Sequence, residues 1–258
     1  MIREIALDNR LPEAGAGFVW DDIGGDRPSP VLRPLCDGVS AAFTTRLGGV
    51  SIGPFTELNI SFRVGDDESS VRANREIAGR AIGRAGVWSV VRQVHGPDVV
   101  AAAAPGELPD ADGLWTQDPE RTIAVAGADC VPVLAVAPGR VCVAHAGWRG
   151  LVAGVVERAV EAAGPRCSVF AGPAIGPCCY SVGAEVAASF ADRFDAAVTD
   201  DGRHVDLWAA AASAAQRAGA RSVSAARICT SCHDELFFSH RRDAGRTGRQ
   251  ALVARVVE

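Results

Sequence analysis

Three residues with metal affinity punctuate the middle of this 258-residue chain. His95 lies in Arg92-Gln93-Val94-His95-Gly96, Cys130 in Ala128-Asp129-Cys130-Val131-Pro132, and His145 in Ala144-His145-Ala146-Gly147-Trp148-Arg149-Gly150. One thiolate and two imidazoles make three protein ligands for zinc, and the fourth tetrahedral position stays open to water or substrate. Such a centre suits a hydrolytic or transfer enzyme, because zinc lowers the pKa of its water toward ~7. Each residue also has a plainer reading. Cys130 precedes an apolar run and fits a buried structural thiol, while His95 and His145 fit turn histidines bonded to backbone. His204 reads as a surface residue, and His233 and His240 flank the aromatic patch Leu236-Phe237-Phe238 as core or surface residues.

Whether the three meet depends on the elements that carry them. Short apolar runs rich in β-branched residues at 122–126, 131–136 and 140–144, separated by Gly and Pro, predict strands. Ala137-Pro138-Gly139 joins the last two as a tight antiparallel hairpin. Paired residues then have numbers summing to about 277, which places Cys130 and His145 within two residues of direct opposition, roughly 5 Å apart. His95 follows a strand expected over 87–94, and spacing alone does not say where that strand end lies. Further strands are expected at 39–44, 98–103, 168–171, 222–228 and 251–257. Within 66–85, Asp66-Asp67 precede a polar stretch expected to be helical through Arg80, and helices are expected over 183–194 and 206–218. Leu151, Val152, Val155, Val156, Ala159 and Val160 recur at helical spacing and predict one helix ending near Gly164-Pro165. Residues 1–38, rich in Gly, Pro and Asp, read as an irregular lead-in with a short strand. Strands alternating with helices, and no linker between them, predict one α/β or α+β domain over residues 1–258.

Composition excludes several classes. A net charge of −5 and a pI near 5.6 argue against a general nucleic-acid binder. All 26 basic residues are Arg, which removes a Walker-A phosphate loop, a pyridoxal Schiff base and a Lys general base. No apolar run approaches the ~20 residues that span a bilayer, and Met1-Ile2-Arg3-Glu4-Ile5 lacks the features of a secretion signal. A cytoplasmic protein is expected, with its eight Cys as thiols. Cys229-Thr230-Ser231-Cys232-His233 spells a haem-attachment pattern. Haem attachment belongs to exported proteins, so ordinary thiols near a turn are favoured over haem, a redox pair or a second metal pair. Cys178 and Cys179 are adjacent, which disfavours a bridge between them.

The motifs in order carry a resemblance over about residues 39–255. They are Thr44-Thr45-Arg46-Leu47-Gly48-Gly49-Val50-Ser51, Leu58-Asn59, Val64-Gly65-Asp66-Asp67, Asn74-Arg75, Gln93-Val94-His95-Gly96 and Asp110-Ala111-Asp112-Gly113. They continue with Ala128 to Pro132, His145 to Gly150, Gly172 to Tyr180, Phe237 to Asp243 and Thr247-Gly248-Arg249-Gln250. Together they resemble the YfiH family, also called the laccase-domain or multicopper polyphenol oxidoreductase family. The resemblance implies a layered sandwich around a mixed β-sheet, similar to a bacterial toxin deamidase. It implies a zinc-dependent purine nucleoside phosphorylase acting on adenosine, inosine, guanosine and methylthioadenosine, with adenosine deaminase activity. Family zinc ligands fall on His95, Cys130 and His145, and copper could compete for that donor set. Asp129 is the nearest proton shuttle, or else it orients a ligand histidine. Arg46, beside Gly48-Gly49, and Arg149, beyond His145, offer planar forks for phosphate. Family motifs add Asn59 and Arg75 as substrate contacts.

Rival readings are an amidase that edits nucleotide-linked cell-wall peptides with Cys130 as nucleophile and His145 as base, and a copper polyphenol oxidase. Five histidines count against the latter, since a multicopper cluster takes roughly ten. Ser181, His240 and the Ala residues after Asp206-Leu207 depart from the family's usual Glu, Tyr and Asn, which touches substrate fit and not the metal. Purine nucleosides and phosphate are the expected small-molecule partners, without nucleic acid or membrane; oligomeric state stays open.

Overall fold

The computed structural model describes residues 11–24, 27–84, 86–194, 197–199 and 202–257. The first ten residues of the expected lead-in lie outside these. The rest holds two strands where one short strand is expected: β1 (Phe18–Asp22) pairs antiparallel with β2 (Pro30–Pro34). Buried Phe18, Val31 and Leu32 anchor the pair. The dense Gly, Pro and Asp around them hides a strand signal only two or three apolar residues long.

Eleven more strands follow among the described residues: β3 (Val39–Thr44), β4 (Ser89–Arg92), β5 (Val99–Ala101), β6 (Gly106–Asp110), β7 (Gly113–Thr116), β8 (Ile123–Gly127), β9 (Val131–Ala137), β10 (Arg140–Ala146), β11 (Ser168–Ala171), β12 (Ser222–Ala225) and β13 (Gln250–Val256). They form two mixed sheets, ordered β1-β2-β3-β13-β8-β4-β6 and β12-β11-β9-β10-β7-β5. The mixed layered sandwich is as expected, with two sheets at its centre. β6 carries Pro109, which removes a ladder donor, and it occupies a sheet edge where that loss is tolerated.

The inner faces pack on each other through Phe43, Val125 and Leu252 from the first sheet and Leu134, Val143 and Phe170 from the second. Helices cover the outer faces. α1 (Glu68–Gly79) puts Ala78 against the Val31, Ala42 and Val253 side of the first sheet. α2 (Trp148–Ala153), α3 (Val155–Ala163) and α5 (Leu207–Arg217) cover the second, while α4 (Ala184–Arg193) contributes Phe190 to the same core. Asp67 and Asp206 cap α1 and α5 by accepting from the amides of Ser70 and Ala209, each satisfying a helix-end N–H that has no partner within the helix. The single helix expected after His145 is two, because Gly154 takes φ +100° and turns the chain between α2 and α3. Among the described residues no helix is long and apolar enough to cross a membrane.

Candidate metal centre

The β9–β10 hairpin has the register its turn predicts: Ala137 pairs with Arg140 across Pro138-Gly139, and Val131 pairs with Ala146. His145 therefore sits one residue before the end of β10, opposite Pro132, and Cys130 lies just beyond the last pair, level with Gly147. That glycine is required by space. A Cβ at position 147 would sit 2.9 Å from Cys130 Sγ and 2.9 Å from His95 Cδ2, closer than carbon approaches either atom.

His95 arrives from the other sheet. After β4 the Gln93 amide exchanges two hydrogen bonds with the backbone of Ala126, donating at 2.8 Å and accepting at 3.0 Å. It thereby fastens the chain to the end of β8. His95 itself adopts φ +62°, a left-handed conformation that histidine reaches more readily than branched residues. Its ring then stands edge-on to His145, centroids 4.8 Å apart.

One buried carboxylate holds both histidines. Asp112 Oδ2 accepts from the amides of Val94 and Gly96, at 3.1 and 2.6 Å, and so clamps the loop carrying His95. Asp112 Oδ1 lies 2.8 Å from His145 Nδ1. A carboxylate acceptor puts the proton on Nδ1 and leaves Nε2 as the ligand atom. Its signal, the second Asp of Asp110-Ala111-Asp112-Gly113, stood in the sequence without a role.

Ligand atoms of His95, Cys130 and His145 all lie within 4.8 Å of one another. Burial alone would push the Cys130 thiol up, yet the His145 charge and hydrogen bonds from both rings outweigh it and bring it down to about 6. Burial would likewise lower His145, but Cys130 and Asp112 raise it to about 9. Each group thus favours the charge that its neighbour needs. The fit to a metal is good on three counts: a thiolate-imidazole donor set, a histidine already oriented by Asp112, and the space left by Gly147. These donors suit zinc, and copper would also bind them.

The three form the floor of a cavity of about 480 Å³, within the range that holds small ligands. Val64, Val91, Ile175 and Leu207 give it apolar wall, and Tyr180, Asp129, His240, Arg63, Arg241 and Arg249 give it polar wall. Asp129 Oδ1 accepts from Thr230 Oγ1 at 2.7 Å, and Oδ2 from the Arg241 amide at 2.9 Å. The bond to a ligand histidine is made by Asp112 instead. Burial pushes the Tyr180 hydroxyl up to about 12, with the Cys130 charge adding to it, so Tyr180 stays a donor at neutral pH.

The other expected contacts are placed differently. Arg46 donates to the carbonyls of Thr56 and Asp234, at 2.8 and 3.0 Å, and stacks on Phe238; it does not line the cavity. Asn59 is fully buried and accepts from the amides of Arg249 at 2.9 Å and Ser61 at 3.1 Å, so it reaches the cavity through those two residues. Arg75 donates to the Ile60 carbonyl, stacks on Phe62 and lines a cleft of about 60 Å³ beside the main cavity. Arg149 is exposed and stacks on Trp148. The arginines facing the centre are Arg63, Arg241 and Arg249, which spacing around the ligands does not reveal.

Comparison with known proteins adds the following. Residues 40–256 match the family described as multi-copper polyphenol oxidoreductase laccase. The chain is 37% identical over 252 residues to the purine nucleoside phosphorylase YlmD of Geobacillus stearothermophilus, covering 86% of this chain and 92% of the relative. It is 39% identical over 236 residues to a purine nucleoside phosphorylase of Deinococcus radiodurans, covering 87% and 92%. The crystal structure of the Bacillus licheniformis hypothetical protein YfiH superposes with a TM-score of 0.82 at 30% identity, covering 94% of this chain and all of that one.

Proposed function

The chain belongs to the multi-copper polyphenol oxidoreductase laccase family, and from that premise we propose that it is a metal-dependent purine nucleoside phosphorylase. The observation that carries this reading is a three-ligand centre on the floor of a cavity whose wall holds Arg63, Arg241 and Arg249. A nucleoside and an inorganic anion need such a combination of apolar wall and cationic lining. The relatives' names supply the substrate class. Adenosine, inosine, guanosine and methylthioadenosine are the expected substrates, and adenosine deamination is a second activity of the same site.

In phosphorolysis a phosphate oxygen bonds to C1′ of the ribose as the C1′–N9 bond breaks. The base leaves with the electron pair and takes up a proton. Arg249 and Arg241 hold the anion, since guanidinium forks match phosphate oxygens. Arg249 is fixed for this: its Nη1 donates to the carbonyls of Thr247 and Gly248, and its amide to Asn59. Tyr180 donates to the leaving base or the sugar, and Asp129 accepts and returns a proton. His95, Cys130 and His145 would hold zinc, which when bound would supply Lewis acidity at the cavity floor. A cytoplasmic setting accords with the eight thiols, all free.

A second reading rests on one observation: Cys130, His145 and Asp112 stand in nucleophile, base and orienter order, as a thiol amidase requires. One assay separates the two. Adenosine, inosine and methylthioadenosine are incubated with phosphate, with and without chelator, and products are identified by mass. Free base plus the sugar 1-phosphate (ribose-1-phosphate, or methylthioribose-1-phosphate from methylthioadenosine), lost on chelation, supports the phosphorylase. Silence on the nucleosides, with chelator-resistant cleavage of a peptide amide substrate supplied in a parallel incubation, would establish the thiol mechanism in its place.

A further inference from the structure

Beside Tyr180, a residue of the cavity wall, lies a second group of metal-affine side chains, far from His95 in sequence and made only of sulfur. Cys178, Cys179, Cys229 and Cys232 have all four Sγ atoms within 4.8 Å of one another. Cys232 Sγ lies 3.5 Å from that of Cys178 and 3.4 Å from that of Cys179. In a zinc tetrathiolate with Zn–S near 2.3 Å, sulfurs sit about 3.8 Å apart, so small side-chain adjustments complete the tetrahedron. Two turns supply the ligands. Cys229-x-x-Cys232 has the spacing of a zinc half-site. The other half follows Gly176-Pro177, where the Cys179 and Tyr180 amides both donate to the Gly176 carbonyl at 2.9 Å.

We propose that Cys178, Cys179, Cys229 and Cys232 hold a zinc ion as a tetrathiolate, a second metal centre that clips the turn after β11 to the turn after β12. Three observations favour a metal over the other fates of four thiols. Cys178 and Cys179 both face Cys232, so one disulfide would satisfy two sulfurs and strand the others, whereas one zinc takes all four. Gly176 donates its amide to Cys229 Sγ at 3.2 Å, a contact that stabilises a thiolate. A Cβ at Gly176 would meet Cys178 Sγ at 3.2 Å and Cys229 Cβ at 3.4 Å, so the backbone there is drawn in close to the sulfurs. Binding releases the thiol protons to solvent and needs no oxidant.

The position gives the clip a purpose. Tyr180, next to Cys179, and Asp129, bonded to Thr230 beside Cys229, both line the main cavity. The clip therefore holds one wall of the pocket while the His95, Cys130 and His145 centre forms its floor, and the two are independent in composition.

Zinc content of protein purified under reducing conditions tests this. Wild type is expected to carry two zinc ions per chain. The variant His95→Ala/Cys130→Ala/His145→Ala is expected to keep one, whose cobalt-substituted form shows intense sulfur-to-cobalt charge-transfer bands. Cys178→Ser/Cys232→Ser, both exposed positions, is expected to lose one and keep the other. Wild-type stoichiometry needs no variant to fold. One zinc per chain, with the four thiols alkylated freely before any chelator is added, would overturn the proposal. So would iron at the site, or an intact mass lower by two hydrogens for each bridge among these cysteines.

Discussion

Replacing Asp112 by Asn tests the architecture of the main centre more sharply than replacing a ligand. The two side chains are the same size, and Asp112 is fully buried, so packing is unchanged. The hydrogen-bond pattern cannot be. Asp112 accepts three bonds, from Val94 N, Gly96 N and His145 Nδ1, while an amide has one accepting oxygen and one donating nitrogen. If the oxygen faces the two backbone amides, the nitrogen faces His145 Nδ1 and forces the proton to Nε2, where the metal lone pair is needed. If the oxygen faces His145, the nitrogen opposes two N–H groups and the His95 loop loses its anchor. Bonds to a charged acceptor contribute about 1.5–3 kcal/mol each, and losing a partner of a ligand histidine lowers metal affinity about 10–100-fold. Asp112→Asn should therefore weaken zinc binding by roughly 10–100-fold and destabilise the metal-free fold by about 2–4 kcal/mol. Competition with a chromophoric chelator reads the first, and denaturation in excess chelator reads the second. Zinc affinity within about threefold of wild type, under 1 kcal/mol, would refute the account of how the histidines are held.

Three further outcomes follow from the geometry. Gly147→Ala keeps an ordinary backbone, since Gly147 has φ −74° and ψ 168°, yet it drives a methyl into Cys130 and His95; zinc should fall at least tenfold while circular dichroism is unchanged, and a full zinc complement would contradict the space argument. Arg249→Ala should raise the KM for phosphate by about 10–100-fold, the loss of one charge-assisted bond, and should spare deamination; equal loss in both reactions would remove Arg249 from the anion site. Arg46→Ala removes two carbonyl contacts and a stack on Phe238, so its main effect should be about 1–3 kcal/mol of stability, or a melting point lower by several degrees; a selective rise in the phosphate KM at unchanged melting point would return Arg46 to the substrate.

Local chemistry was enough for the Cys130 and His145 half of the centre. A Pro-Gly turn between two β-branched runs sets hairpin register over a few residues, and register places side chains before any tertiary contact forms. The same locality made the cores of β3, β11, α1, α4 and α5 readable. It also explains the misses. A single glycine inside a helical pattern is tolerated as often as it breaks it, so nothing local announced that Gly154 would divide α2 from α3. Strands β1, β2 and β6 are too short or too rich in Pro and Gly for their pattern to stand out.

Everything that joins distant segments waited for packing. His95 reaches the hairpin because β4 runs parallel to β8 in the opposite sheet, and the two sheets bury their apolar faces on each other. Asp112 acquired its role because β7 lies beside β10, which brings one carboxylate between two histidines. Arg249, just before the last strand, displaced Arg46 and Arg149 as an arginine facing the centre, and the four clustered cysteines came together from turns about fifty residues apart. Sequence periodicity reports which face of an element is apolar, and it carries no record of which polar side chains will share a cavity once those faces close.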